Sequence, residues 1–177
     1  MKKLKNSELN RISIEEFKNS SKTPIKVLLD NIRSAHNVGS IFRSCDAFLI
    51  DEIILCGITA KPPNKEIRKT ALGSTDSVKW SYFENIQDAI LKLKKEKYQI
   101  ISVEQADKST ELENFNIQSK KKYAIIFGNE INGVNQKVID ISDDVVEIPQ
   151  FGTKHSFNVS VSVGIVIWDF FTKIRTN

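Results

Sequence analysis

From residue 25 onward, short runs of β-branched and other apolar residues alternate with segments whose apolar residues recur at helical spacing. This alternation is typical of α/β proteins, in which helices cover a largely parallel sheet. The predicted strands are residues 26–29, 52–56, 99–103, 123–127 and 145–148. Because 177 residues suffice for one ordinary domain with its own core, we expect a polar arm over 1–24 and a single α/β domain over 25–177.

Two helical patterns differ in the faces that they present. Residues 86–93 place apolar side chains on one side and lysines on the other, which predicts an amphipathic helix with a solvated face. Residues 158–173 are apolar on nearly every side, so this helix is central to the domain or packs against a second copy of the chain. Gly164 in its middle costs about 1 kcal/mol relative to Ala unless close packing requires a missing side chain. We therefore expect a tight helix contact at Gly164 and a homodimer.

Several common chemistries lack their motifs in this chain. The seven glycines form neither a P-loop nor a dinucleotide-binding fingerprint, and there is no G-x-S-x-G element. His36 and His155 lie far apart without companion ligands, so no metal site is expected. Cys45 and Cys56 have no metal-binding spacing and lie among apolar residues, which predicts reduced core thiols.

The chain shows no targeting or membrane signal. The basic N-terminus lacks a following apolar run, and the apolar stretch 159–171 is interrupted by polar residues and too short to span a bilayer. We expect a soluble, cytoplasmic protein. Its net charge of +4 and pI near 9.0 modestly favour a polyanionic partner, because cationic surfaces attract phosphates.

Three separated segments each pass from a predicted strand through a polar turn toward a helix. In the first, a helix is expected to start near Asn37 or Gly39, and Arg43 follows in an apolar stretch. An arginine buried there must pair with an acid or point into a cleft. In parallel α/β sheets, such turns meet at the carboxyl edge, where ligands bind. The segment taken alone would favour a structural ion pair for Arg43.

The second and third segments have the same form. The sequence F-G-N-E-I-N-G over 127–133 follows a strand, and its glycines allow a ligand to approach the backbone closely. The sequence I-P-Q-F-G-T-K-H-S-F-N-V-S over 148–160 leads into the last helix, with Ser156 or Asn158 as the expected cap. Each segment taken alone also fits an ordinary turn or helix cap.

Together and in this order, N-x-G-x-x-x-R, F-G-N-E-x-x-G and I-P-x-x-G-x-x-x-S-x-N-V-S resemble the three motifs of the SpoU (TrmH) family of SPOUT methyltransferases. The resemblance covers about residues 25–175. It implies a SPOUT α/β fold with a C-terminal deep trefoil knot, a homodimer, and transfer of a methyl group from S-adenosylmethionine to a ribose 2′-hydroxyl of tRNA or rRNA. The family's catalytic cluster falls on Asn37, Arg43, Glu130, Ser156 and Asn158. The expected cofactor-binding positions are Val103, Glu104, Gly128, Ile148 and Phe157.

The resemblance also raises the question of which group accepts the proton from the ribose hydroxyl. Neutralising an arginine at pH 7 would cost roughly 7 to 9 kcal/mol. We therefore expect Arg43 to orient an RNA phosphate and stabilise developing negative charge, with the proton passing to phosphate or transiently to Arg43. Asn158 and Ser156 would position the ribose, and Glu130 would order the cluster.

Some alternatives stay open at the level of sequence. A non-catalytic RNA-binding protein with the same fold, or a SPOUT enzyme that methylates a base, would share much of this pattern. The sequence does not distinguish tRNA from rRNA. The arm over 1–24, with a capping box at Ser13 and Glu16 and Pro24 at its end, fits a solvated appendage and a segment that contacts RNA or braces a dimer equally well.

Overall fold

Branched apolar runs form the centre of one parallel sheet in the computed structural model, which describes residues 1–176. Seven strands lie in the order β3-β2-β1-β6-β4-β7-β5, and every pairing between them is parallel. Their bounds are β1 (Thr23–Asp30), β2 (Ile50–Cys56), β3 (Trp80–Phe83), β4 (Tyr98–Val103), β5 (Thr110–Glu111), β6 (Lys122–Phe127) and β7 (Asp144–Glu147). The predicted α/β class with a largely parallel sheet is confirmed.

All five predicted strands are present, and their ends differ from the prediction by at most three residues. The sequence did not predict β3 and β5, which form the two edges of the sheet. The two residues of β5 and the half-buried W-S-Y-F run of β3 lack the apolar pattern that marks the central strands.

Helices cover both faces of the sheet. Their bounds are α1 (Ile14–Asn19), α2 (Ala35–Ala47), α3 (Lys65–Ala71), α4 (Ser74–Ser77), α5 (Ile86–Lys95), α6 (Gln136–Ile139) and α7 (Val159–Thr176). On one face, Val27 of β1 shares a buried cluster with Phe42 of α2 and Phe170 of α7. On the other face, Leu28 of the same strand shares a cluster with Ile90 of α5. Alternate strand residues therefore supply two cores, as the pleat of a sheet requires.

The N-terminal arm packs onto the domain through α1. The predicted capping box is present, because Ser13 Oγ accepts from the Glu16 N–H at 3.2 Å and Glu16 Oε2 accepts from the Ser13 N–H at 2.7 Å. Phe17 is only 3% exposed and belongs to the larger core cluster. Strand β1 begins at Thr23, so Pro24 is its second residue.

The final helix has one exposed apolar face. Val161 is 48% exposed and Trp168 is 55% exposed, seven residues apart on the same side of α7. A Cβ atom built on Gly164, between them, would meet no atom within 4 Å. This side of α7 faces away from the core of the chain, so the tight helix contact expected at Gly164 stays a prediction about a second copy.

The two cysteines are free and buried, which confirms their prediction as reduced core residues. Burial raises the pKa of Cys56 to about 12, so its thiol stays protonated at neutral pH. Within residues 1–176, no helix has both the length and the apolar character needed to cross a membrane. The same part of the chain holds no group of three His, Cys, Asp or Glu side chains suited to a metal ion.

The carboxyl ends of four strands meet at one edge of the sheet. Phe127 at the end of β6 is in register with Leu29 of β1 on one side and with Val103 of β4 on the other. Val103 is in turn in register with Val146 of β7. The loops that follow β1, β4, β6 and β7 therefore leave the sheet side by side. All three sequence motifs lie in or directly after these loops.

Candidate active site

The loops after β4, β6 and β7 enclose a cavity of about 500 Å³ at this edge. Its volume lies within the range of small-molecule and cofactor sites in proteins. All five expected cofactor-binding residues line it, namely Val103, Glu104, Gly128, Ile148 and Phe157. Of the expected catalytic residues, Glu130 and Ser156 also line the cavity. The cavity thus brings together residues from widely separated parts of the chain.

The wall after β6 is a tight turn that depends on two glycines. The Asn129 N–H donates to the Gly133 carbonyl at 3.0 Å, and the Gly133 N–H donates back to the Asn129 carbonyl at 2.8 Å. A Cβ atom on Gly128 would overlap the backbone of Gly133 and Val134. Gly133 has a φ of +63°, and a Cβ there would overlap the Glu104 carboxylate. Both positions therefore require a residue without a side chain.

Glu104 and Gln105 connect the three loops around the cavity. Glu104 accepts from the Val134 N–H and from the Gln105 N–H, each at 2.9 Å. Gln105 Nε2 donates to the His155 carbonyl at 2.7 Å. The loop after β4 is thus bonded to the loops after β6 and β7. The sequence indicated Glu104 only by resemblance and gave no role to Gln105, because neither bond partner is near in the chain.

A polar network joins the three motif segments beside the cavity. Glu130 accepts from the N–H groups of Arg33 and Ser34 at 2.9 and 3.0 Å, and from Asn37 Nδ2 at 3.2 Å. Asn158 Nδ2 donates to Asn37 Oδ1 at 3.2 Å. The structure therefore places three expected catalytic residues, one from each motif, in a single chain of hydrogen bonds.

Helix caps hold the two asparagines of this network. Ser34 caps α2 by accepting from the Asn37 N–H at 3.3 Å, so α2 begins at Ala35, earlier than the sequence predicted. Asn158 caps α7, because its Oδ1 accepts from the Ser160 N–H at 2.9 Å and from Ser160 Oγ at 2.6 Å. Of the two predicted caps, Asn158 is confirmed. Ser156 is exposed, and no hydrogen bond reaches its side chain from the described residues.

The hydrogen bonds to Glu130 determine its charge state. Partial burial acts to raise the pKa of Glu130, but donation from the Arg33 and Ser34 N–H groups and from Asn37 outweighs this and holds the pKa below its ordinary value. The side chain is therefore a carboxylate at neutral pH. Its oxygens already accept bonds from the protein, so it organises the network and is a poor proton acceptor.

Arg43 lies apart from this network. Its side chain is exposed on α2, six residues beyond Asn37, and no hydrogen bond or salt bridge joins it to any residue among 1–176. The ion pair that the first segment taken alone would favour is therefore not formed among residues 1–176, and the place of Arg43 in the catalytic cluster stays a prediction. The buried residues Val38, Phe42 and Cys45 occupy another side of α2, so Arg43 projects into solvent and keeps its hydration.

Another residue that sequence reasoning passed over is Asn129. Its Nδ2 donates to the Asn31 carbonyl at 2.7 Å, and its Oδ1 accepts from the Ile131 and Asn132 N–H groups at 2.9 and 3.2 Å. Asn129 thus fixes the loop after β6 against the loop after β1. Because asparagine is common in turns, its position in the sequence did not indicate this contact between the two loops.

Comparisons with known proteins agree with this geometry. The model of the SpoU rRNA Methylase family matches residues 24–168. The chain is 30% identical over 159 residues to the 23S rRNA (guanosine-2′-O-)-methyltransferase RlmB of Neisseria meningitidis, covering 89% of this chain and 62% of that protein. It is 28% identical over 162 residues to a tRNA (guanosine(18)-2′-O)-methyltransferase of Borreliella burgdorferi, covering 92% and 72%.

Solved structures share the fold. An AdoMet-bound rRNA methyltransferase from Sinorhizobium meliloti superposes with a TM-score of 0.78 at 25% identity, over 87% of this chain and 59% of that one. The TrmH/SpoU tRNA modifying enzyme of Aquifex aeolicus gives 0.79 at 25% identity, over 92% and 81%. The chain thus spans about three fifths of the Neisseria and Sinorhizobium proteins. Because the family model and the structures match most of its length, this chain belongs to the SpoU rRNA methylase family.

Proposed function

We propose that this chain transfers a methyl group from S-adenosylmethionine to a ribose 2′-hydroxyl of tRNA or rRNA. The observation that carries the proposal is the hydrogen-bonded network of Glu130, Asn37 and Asn158 beside the cavity. It joins the three motif segments at the point where a substrate on the protein surface would meet a ligand in the cavity. The names of the relatives agree with this reaction.

The lining of the cavity suits the methyl donor. Val103, Ile148 and Phe157 supply apolar walls for an adenine ring, and Gly128 belongs to the tight turn that forms another wall. Glu104 adds negative charge, which would favour a cationic donor. When bound, S-adenosylmethionine supplies a methyl group activated by its positive sulfur. We assign these five residues to its binding.

The reaction forms a bond between the ribose oxygen and the methyl carbon, breaks the carbon–sulfur bond and releases the hydroxyl proton. Glu130 is a poor acceptor for this proton, since its carboxylate is already held by N–H donors. Asn158 and Ser156, at the start of α7, position the ribose, and Asn37 with Glu130 holds Asn158 in place. The exposed Arg43 is free to bind an RNA phosphate and to stabilise negative charge on the attacking oxygen. The proton then passes to phosphate or transiently to Arg43.

The working form is a homodimer. Supporting this, the exposed side of α7 carries Val161 and Trp168, and Trp168 packs against Phe48 and Phe171 with ring centroids 5.5 and 6.3 Å apart. The open space at Gly164 would let a second helix approach closely. Such an apolar face is what a subunit interface covers. Sedimentation should show a dimer, and a monomer at all concentrations would contradict it.

We further propose that the loop after β7 is threaded to form the trefoil knot and that the protein acts in the cytoplasm, where its RNA is found. The proposal of a knot rests on the resemblance of the three motifs to the SpoU family, whose model matches residues 24–168. Single-molecule stretching tests it. A knot that tightens would leave the unfolded chain shorter than its full contour length of about 3.6 Å per residue.

A map of ribose methylation identifies the substrate. Total RNA from cells with and without the gene should differ at one or a few ribose positions. The wild-type gene should restore the missing methyl groups, whereas Asn158→Ala, which removes both the helix cap and the bond to Asn37, should not. Identical ribose maps, or loss of a base methylation instead, would contradict the proposed reaction.

A further inference from the structure

Phe151, in the loop between β7 and α7, is the most exposed aromatic side chain among residues 1–176. It is 97% exposed, and no aromatic ring or cation among residues 1–176 packs against it. In the same loop Gln150 and His155 line the cavity. Phe151 follows Gln150 directly and does not line the cavity itself, so its ring is exposed on the loop that forms one wall of the cavity.

Other exposed aromatic residues have contacts that account for them. Trp168 packs on Phe48 and belongs to the exposed face of α7. Phe157 is 43% exposed and lines the cavity. Phe151 has neither kind of contact, and its exposure forfeits the stabilisation that burial of a phenyl ring provides. A flat apolar partner would bury the ring and recover this stabilisation.

The surroundings of Phe151 favour a nucleobase as that partner. Lys154 is exposed three residues later in the same loop, so the loop combines an aromatic ring with a cation. This combination is typical of proteins that bind single-stranded RNA, where bases stack on aromatic rings and cations contact the backbone. Ile131 of the loop after β6, 69% exposed, is a second exposed apolar side chain and lines the same cavity.

Building on the proposed function, we propose that Phe151 positions the substrate by stacking on an unpaired base next to the ribose that is methylated. Phe151 is thus a positioning residue that binds the base and takes no part in the chemistry. A stacking contact is present both before and during methyl transfer, so its removal raises KM for RNA and leaves kcat unchanged. The affinity for S-adenosylmethionine does not depend on it.

The test compares Phe151→Ala, Phe151→Trp and Lys154→Gln on two RNA probes. One probe is a short single-stranded oligoadenylate, and the other is an abasic ribose-phosphate chain of equal length. Phe151→Ala should weaken oligoadenylate binding about tenfold, and Phe151→Trp should restore it, with little change for the abasic probe. Lys154→Gln, as the matched control, should weaken binding of both probes equally because it removes only a phosphate contact.

Several results would overturn the proposal. Equal binding of oligoadenylate by Phe151→Ala and the wild type would exclude stacking. If Phe151→Ala weakened binding of both probes equally, the substitution would have disturbed the RNA-binding surface as a whole and not a contact with a base. A shift of Phe151→Ala from dimer to monomer, or weaker S-adenosylmethionine binding, would make Phe151 a subunit or cofactor contact. Because probe binding needs no methyl transfer, failure of the proposed reaction in the wild type would be recognised separately.

Discussion

Gly128→Ala tests whether the turn after β6 is the wall of the cofactor site. The added Cβ would overlap the backbone of Gly133 and Val134, which a side-chain rotation cannot relieve. The pair of backbone hydrogen bonds between Asn129 and Gly133 fixes that part of the turn, so the whole turn must shift.

The expected size follows from the kind of overlap. Forcing an extra carbon into a packed region costs typically about 1 to 3 kcal/mol. The φ of Gly128 is not in the left-handed region, so alanine recovers about 0.4 to 1 kcal/mol by restricting the unfolded chain. The net loss in the free energy of unfolding should therefore lie near the middle of the resulting range, at about 1.3 kcal/mol. Binding of S-adenosylmethionine should fall more than tenfold, because the shifted turn changes the shape of the cavity wall.

Gly152→Ala is the matched control. Gly152 lies in the loop after β7, and a Cβ there would meet no atom within 4 Å. Its unfolding free energy should stay within about 0.5 kcal/mol of the wild type. Urea unfolding and calorimetric titration with S-adenosylmethionine measure both effects. Wild-type stability and cofactor affinity in Gly128→Ala would refute the described packing of the turn.

Four further predictions concern the network, the exposed helix face, acid stability and Arg43. Asn158→Asp keeps the oxygen that caps α7 but loses the amide donor to Asn37. The free energy of unfolding should therefore stay unchanged while kcat falls about 100-fold, and an unchanged kcat would exclude a positioning role for Asn158. If a second helix packs at Gly164, Gly164→Ala should raise the dimer dissociation constant measured by sedimentation. An unchanged dissociation constant, with a gain of up to about 1 kcal/mol in the free energy of unfolding, would instead indicate a solvated face. Folding holds the pKa of Glu130 below its ordinary value of 4.5, so its stabilising contribution is complete above that pH and is lost as pH falls through the folded pKa. Glu130→Gln should flatten this acid dependence of the unfolding midpoint, and an unaltered profile would disprove the linkage. Arg43→Lys should slow methyl transfer, and near-normal transfer would rule out a need for the planar guanidinium.

Sequence patterns were most informative where buried apolar residues recur at a regular spacing along the chain. The central strands, the amphipathic helix α5 and the capping box at Ser13 each follow from a local rule, and each is present. The edge strands β3 and β5 were not predicted, because few of their side chains are buried and their apolar residues do not recur at a regular spacing. Local rules also placed the cap of α7 but left Ser156 and Asn158 as equal candidates.

The site required contacts between residues far apart in the chain. Glu130 is 96 residues from Ser34, and Asn158 is 121 residues from Asn37. The hydrogen bonds between them depend on the order of the strands in the sheet, so no single motif could predict them. Arg43 shows the opposite problem. Its apolar neighbours suggested burial, but they lie on a different side of α2, which places the guanidinium in solvent.

Methyl transfer by the purified protein tests the central proposal most directly. The protein is incubated with S-adenosylmethionine carrying a deuterated methyl group and with total RNA from cells that lack the gene, and the digested nucleosides are analysed by mass spectrometry. The proposal predicts label on the ribose of a 2′-O-methylated nucleoside, absent with Asn158→Asp. Label on a base, or no label from a protein that binds both S-adenosylmethionine and RNA, would contradict it.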